Sequence, residues 1–181
     1  MKEKTLNSKS IYKGKIINLR IDEVVLPNGK KTTREIVEHY GAVAILPLIN
    51  ENNFLLVRQF RKPIEKMLME IPAGKLEQGE NIKRCAIREL REETGYETKD
   101  LQKLASVYLA PGYSSELIHI FIAKNLKKTS PEPDADEFLE NIIIKKKDVL
   151  NKILNGEIKD SKTIVAIMLH MQSEFEVWKR I

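Results

Sequence analysis

Residues 74–96 read Gly74-Lys75-Leu76-Glu77-Gln78-Gly79-Glu80-Asn81-Ile82-Lys83-Arg84-Cys85-Ala86-Ile87-Arg88-Glu89-Leu90-Arg91-Glu92-Glu93-Thr94-Gly95-Tyr96. The first part, with two glycines and two acids, reads as a loop. The rest reads as a helix. Asn81 is placed to cap its N-terminus by accepting from unpaired N–H groups, and Gly95 falls where a left-handed residue ends a helix. At about 100° per residue, Glu89 and Glu93 stack one turn apart with Glu92 beside them, and Ala86, Ile87 and Leu90 form the adjacent apolar arc. The acids therefore lean toward the edge of the core.

A like-charge pair at i,i+4 costs roughly 0.2–0.5 kcal/mol in an isolated helix. No cation lies in line one turn away, since Cys85 precedes Glu89 and Glu97 follows Glu93; Arg88 is spaced to meet Glu92. A solvated acidic face explains neither the stacking nor the glycines. A hard divalent cation, Mg²⁺ or Mn²⁺, accounts for both, because it takes carboxylate oxygens and tolerates close negative charges.

The same residues resemble the signature of the Nudix hydrolases, G-x5-E-x7-R-E-U-x-E-E-x-G-U with U aliphatic. Gly74, Glu80, Arg88, Glu89, Leu90, Glu92, Glu93 and Gly95 fall in place, and Tyr96 departs from the aliphatic last position. With residue frequencies below about 0.1, a chance match of the fixed positions falls below ~10⁻⁷ per register, so the signal is specific.

The chain of 181 residues suits one compact domain with a small appended unit. No apolar run approaches the ~20 residues that span a bilayer, and residues 1–10 lack the apolar core of a signal peptide. A single cysteine excludes an internal disulfide and fits a reducing cytoplasm; Cys85 itself reads as a small packing residue. The net charge of +5 is compatible with phosphate-rich substrates. Lys145-Lys146-Lys147 is a tight basic run with no aromatic interleaved, which argues against nucleic acid as a partner. His39, His119 and His170 are scattered without metal-ligand spacing and read as structural.

Along the chain, residues 11–38 alternate as two strands around the hairpin turn Pro27-Asn28-Gly29-Lys30. Such a unit can hardly bury a core of its own, so it is expected to dock on the rest of the chain or on a second copy. Residues 41–49 are nearly continuously apolar and read as a central strand, with 54–61 returning beside it and 69–71 short and extended. Strands are expected at 104–109, 117–123 and 139–145. Between the last two, residues 127–137 read as a polar surface loop with Pro131 and Pro133. Helices are expected at about 147–154 and from a cap at Asp160 or Ser161 to about 178. The class is α+β. The resemblance refines this to a Nudix-type α/β/α sandwich with a mixed sheet over residues 40–181. A small N-terminal antiparallel β subdomain over residues 1–39 precedes it.

The resemblance also implies chemistry: Mg²⁺- or Mn²⁺-dependent hydrolysis of a nucleoside diphosphate linked to another moiety. On this likeness Glu89, Glu93 and the Ala73 main-chain carbonyl ligate metal, with Glu92, Glu77 or Glu80 as an auxiliary acid. Arg88 orients a motif glutamate. Pro111, fifteen residues past Tyr96 in a Pro-Gly-Tyr-Ser turn, is similar in placement to the ADP-ribose pyrophosphatase branch. Residues 57–61, 70–74 and 34–39 look like that branch too. Candidate substrate contacts are Arg34, Arg61, Glu70, Pro111, Gly112 and Glu116, while Tyr12 reads as packing more simply than as a stack on adenine. The water-activating base in that branch is a loop glutamate outside the signature. Asp134, Asp136, Glu137 and Glu140 are available, and Glu137, just before the last strand, is the choice. The expected product pair is AMP and ribose 5-phosphate, and the expected assembly is a homodimer. The alternatives are a pyrophosphatase for another nucleotide sugar, such as a GDP-sugar, and a non-catalytic ADP-ribose sensor.

Overall fold

A computed structural model of the chain describes residues 1–130 and 138–178, with side chains described up to residue 173. The elements are β1 Lys4–Lys13, β2 Asn18–Val25, β3 Lys31–Glu38, β4 Ala42–Asn50, β5 Asn53–Arg61, a 3-10 turn at Lys62–Ile64, β6 Lys66–Glu70, β7 Ala73–Lys75 and α1 Ile82–Thr94. They continue with β8 Tyr96–Glu97, β9 Asp100–Tyr108, β10 Leu117–Lys124, β11 Lys127–Lys128, β12 Glu140–Lys145, α2 Lys146–Leu154 and α3 Ser161–Trp178. The chain divides into two compact units: residues 1–41 with 108–117, and residues 42–107 with 118–181.

The first unit is built on the antiparallel sheet β1-β2-β3. Its outer strand β1 begins at Lys4, well before the alternation that starts at residue 11. All ten of its residues are exposed, so no burial pattern marks it in the sequence. In β2 the buried residues are Asp22 and Val24. Asp22 is satisfied by the Ser8 hydroxyl, which donates to it, and by Arg20 Nε at 3.0 Å. The turn carrying residues 110–116 is pinned to β3, with Val37 N–H donating to Tyr113 O at 2.8 Å and Ser115 N–H to Val37 O at 3.0 Å.

In the second unit β4 is the middle of a seven-stranded sheet of order β12-β5-β4-β10-β9. It runs parallel to β10 and antiparallel to β5, so the sheet is mixed. β4 is buried from Ala42 to Leu48, which is why it reads as a continuous apolar run. Alternate side chains enter two separate cores. Ala42, Ala44, Leu46 and Leu48 pack with Ala166 and Ile167 of α3 and Val149 of α2. Val43 and Ile45 pack on the other face with Cys85, Ala86 and Leu90 of α1. Helices thus cover both faces of this sheet, the α/β/α arrangement. No helix among the described residues is long and apolar enough to cross a membrane.

α1 has the caps its sequence predicts. Asn81 Oδ1 accepts from the N–H groups of Lys83 and Arg84, and Gly95 ends the helix at φ 71°. The buried face is Cys85, Ala86, Glu89, Leu90, Glu93 and Thr94. Ile87, expected in the apolar arc, is instead 36 % exposed, because the stripe facing β4 is centred on the line through residues 86, 90 and 93. The 139–145 strand and both later helices form near the expected bounds, and Asp160 rather than Ser161 is the cap, its Oδ2 accepting from Thr163 N–H at 3.0 Å. Short β8 and β11 pair with each other, so part of the expected 127–137 loop is strand. Replacing Asn81 by Ala is expected to cost about 1 kcal/mol. Urea unfolding should show it as a lower midpoint at unchanged slope.

Candidate active site

The site is prepared by a fork in the sheet. β5 pairs with β4 through Leu48↔Phe54 and Asn50↔Asn53, then pairs onward with β6, Val57 facing Glu70. The edge of β4 that β5 leaves is taken by β7, with Ala44 facing Ala73 and Val43 facing Gly74. The chain therefore crosses from one strand to the other between Glu70 and Ala73. Pro72 sits in the crossing, where it lacks an N–H to satisfy and its carbonyl accepts from Ile45 N–H at 2.9 Å.

α1 lays its acids against β7. Glu89 and Glu93 are 8 % and 6 % exposed, deeper than the core edge to which the sequence assigns them. Glu93 Oε2 accepts from Ala73 N–H at 3.1 Å. Gly74 leaves the space that the Glu89 carboxylate fills: a Cβ built on it would overlap the carboxylate carbon and both oxygens. Ala73, Gly74, Glu89 and Glu93 are thus brought together.

Arg88 does more than the sequence assigns to it. Its Nη1 donates to Glu89 Oε1 at 2.7 Å and Glu92 Oε2 at 2.9 Å, while Nε and Nη2 each lie 3.2 Å from an oxygen of Glu80. Burial works against the guanidinium charge, but the hydrogen bonds to Glu80 and the charge of Glu89 outweigh it and raise the pKa. The same pairing holds the Glu80 carboxyl below its usual range. Glu80 also closes the turn through Gly79, accepting from Glu77 N–H at 3.2 Å; Glu77 itself is exposed. Burial, and then Glu80, push the Cys85 thiol up to about 12, so it stays protonated and inert, as a packing residue does.

One guanidinium among three carboxylates leaves this edge acidic. Two buried carboxylates one turn apart beside the Ala73–Gly74 main chain form an all-oxygen donor set that fits a hard divalent cation. Among the described residues no three His, Cys, Asp or Glu side chains converge into a ready cage.

Arg61 and Glu70 meet across the fork. Arg61 Nε and Nη2 donate to the two oxygens of Glu70 at 2.7 and 2.8 Å. Glu70 is 2 % exposed and also takes the Lys162 ammonium of α3 on Oε2. Burial alone would raise the Glu70 carboxyl; Arg61 and Lys162 override it and hold it at about 2. Arg61 is raised by its bond to Glu70, with the charge of Glu93 adding to the effect, so it senses the acids of α1. Lys162 and Thr163, whose hydroxyl accepts from Ile71 N–H at 2.8 Å, carry no signal in the sequence beyond their place next to the Asp160 cap.

The remaining substrate-contact candidates lie in the first unit. Arg34 is held by Glu3, with Nη2 to Oε1 at 2.6 Å and Nε to Oε2 at 3.1 Å. Pro111 and Gly112 are exposed in the turn bound to β3, and Glu116 lies 3.7 Å from His39. Glu140, on β12, faces Arg58 at 3.3 Å with most of its side chain in solvent. Glu137, Asp134 and Asp136 lie outside the described residues.

A mixed sheet between helix layers, with one helix turning a pair of acids onto a neighbouring strand, defines an α/β/α sandwich with an acidic edge. The NUDIX domain model matches residues 38–164, and the model for the nucleoside diphosphate sugar hydrolase N-terminal domain matches residues 3–37. The chain belongs to the Nudix family, whose hydrolases generally use divalent metal cations. It is 45 % identical over 169 residues to an ADP-ribose pyrophosphatase of Bacillus subtilis, covering 92 % of this chain and 91 % of the relative. It is also 45 % identical over 167 residues to a methanol dehydrogenase activator of Bacillus methanolicus, covering 91 % and 90 %. The fold matches the crystal structure of an ADP compounds hydrolase with a TM-score of 0.84 at 23 % identity, over 100 % of this chain and 98 % of that one.

Two outcomes follow from the geometry. Gly74→Ala meets only the far end of a flexible side chain, so circular dichroism should be unchanged. The displaced Glu89 carboxylate should weaken Mn²⁺ binding, read by calorimetry, by about tenfold. Glu70 has a folded pKa below its ordinary value of 4.5, so its stabilisation is full above that value and lost as pH falls toward about 2. The stability gap between the native protein and Glu70→Gln should narrow by on the order of 3 kcal/mol across that window, as read by denaturant titration at each pH.

Proposed function

We propose that this protein hydrolyses the diphosphate of ADP-ribose to AMP and ribose 5-phosphate with Mg²⁺ or Mn²⁺. The observation that carries the reading is the packing of the Glu89 and Glu93 carboxylates against the Ala73–Gly74 main chain. The likeness to a named ADP-ribose pyrophosphatase over nearly both whole chains supports the substrate.

Glu89, Glu93 and the Ala73 carbonyl are assigned to hold the cation. When bound, the cation neutralises phosphate charge and lowers the pKa of a water. Arg88 fixes the Glu89 and Glu92 carboxylates in position. Glu137 is assigned as the base that takes the proton of the attacking water; the water oxygen bonds to phosphorus as the bridging P–O bond breaks. Arg61 takes a phosphate by charge-assisted hydrogen bonds. Arg34, the Pro111-Gly112 turn and Glu116 are assigned to the nucleotide and its sugar.

Residues 40–181 form the hydrolase domain in this reading, and residues 1–39 a unit for dimerisation and substrate contact. The homodimer is supported by β1, an edge strand exposed along its whole length, which is a ready surface for another chain. One buried cysteine suits a cytoplasmic setting.

The equal likeness to a methanol dehydrogenase activator supports a second reading, in which the same site serves to regulate an alcohol dehydrogenase. Adding the protein and its Glu93→Gln variant to a methanol dehydrogenase assay separates the two roles. For the primary reading, incubation with ADP-ribose and Mg²⁺ should release AMP faster than incubation with a GDP-sugar releases GMP. Glu93→Gln should lower kcat by about 100-fold or more. Full turnover in that variant would overturn the ligand assignment.

A further inference from the structure

We propose that Lys162, in the first turn of α3, is a positioning residue that acts through Glu70 to hold the Arg61 guanidinium ready for the substrate diphosphate. The inference rests on the reading of Arg61 as a phosphate contact and names what makes that contact possible.

Four side chains of alternating charge run from the cap of α3 to the surface. Asp160 Oδ1 takes the Lys162 ammonium at 2.9 Å, Lys162 meets Glu70, and Glu70 takes Arg61 through two nitrogens. Side-chain exposure along this chain is 13 %, 8 %, 2 % and 39 %, so it opens to solvent at Arg61. Among the described residues Arg61 Nη1 makes no hydrogen bond, while Nε and Nη2 are fixed edge-on by Glu70. The guanidinium is thereby oriented, with one nitrogen left for an incoming anion.

Stability alone does not account for Lys162. A buried ion pair is often replaceable by apolar side chains without loss of stability, and α3 packs Ala166 and Ile167 into an apolar core one turn further on. Charge balance does account for it. With Glu70 as its only partner, Arg61 would present a nearly neutral pair to a dianionic diphosphate. Lys162 offsets Glu70, and the Asp160 charge is met in turn by the N-terminus of α3, so the Arg61 charge remains available. The same turn anchors the main chain of the crossing, since Thr163 Oγ1 accepts from Ile71 N–H and donates to Asp160 Oδ2 at 2.6 Å.

The test is steady-state kinetics on ADP-ribose with the parent protein, Arg61→Ala, Lys162→Met and the combination of the two. Lys162→Met should raise KM about tenfold while kcat stays within about threefold. Combined with Arg61→Ala it should raise KM no further than Arg61→Ala alone, because it acts through the residue already removed. A raised KM in Arg61→Ala with an unchanged KM in Lys162→Met would leave Lys162 a structural residue and overturn the inference. If Lys162→Met does not fold, Glu70→Gln/Lys162→Met removes both buried charges; it should reproduce the Arg61→Ala KM, and a parental KM would overturn the proposal equally. A parent protein that releases no AMP would sink the functional reading itself, and normal kinetics in Arg61→Ala would sink the role of Arg61. Both are distinct from failure at Lys162.

Discussion

The second unit depends on enclosing two carboxyl side chains in a packed helix–sheet face. Burying an unpaired carboxylate costs several kcal/mol, yet Glu89 and Glu93 are among the most enclosed residues of α1. Three local features make this tolerable. The Ala73 N–H points a main-chain donor at Glu93, the guanidinium of Arg88 bridges Glu89 to Glu92 and Glu80, and Gly74 withholds the atom that would occupy the Glu89 carboxylate's place. The first and the last require β7 to lie directly beside α1. That in turn requires β5 to leave β4 and the chain to cross at Pro72. The fork in the sheet is thus the structural counterpart of the acidic helix.

Those acids violate a local rule without being an error. A soluble helix ordinarily turns its charges outward, and a conflict of this kind between pattern and burial marks a functional site more often than a flaw. The conflict is visible in the sequence because it is local: a like-charge pair, two caps and two glycines lie within 23 residues. The same locality made the central strand legible, since β4 is buried on both faces and reads as one apolar run.

What the sequence could not show depends on contacts between distant residues. Spacing pairs Arg88 with Glu92, but the bend at Gly79 also returns Glu80 to it, which requires the loop's path and not its composition. Ile87 belongs to the apolar arc by angle alone; only the position of β4 decides that it faces solvent. β1 has no buried face, so its polar sequence carries no period to detect. Glu70 and Arg61 both look like charged strand residues open to substrate. That one is enclosed and the other exposed follows from Lys162, 92 residues further along the chain from Glu70. The cap Asn81 was legible, and the cap of α3 was narrowed to Asp160 or Ser161, because a cap is closed within four residues.

The crossing between β6 and β7 is held from two faces of the sheet, which ties the C-terminal helix to the candidate site. α1 reaches Ala73 through Glu93, while α3 reaches Ile71 through Thr163 and Glu70 through Lys162. A short extended segment without these ties would have few hydrogen bonds of its own, because Pro72 lacks an N–H and the ladder changes partner there. Freed, it would let the Ala73 main chain and the Arg61–Glu70 pair drift independently. A displacement on the order of 1 Å between a reacting group and its support costs about 100-fold in rate. Tying one segment to two helices that pack in separate cores makes such a drift expensive in both, so the Glu89–Glu93 edge and the Arg61 guanidinium are held to one common segment.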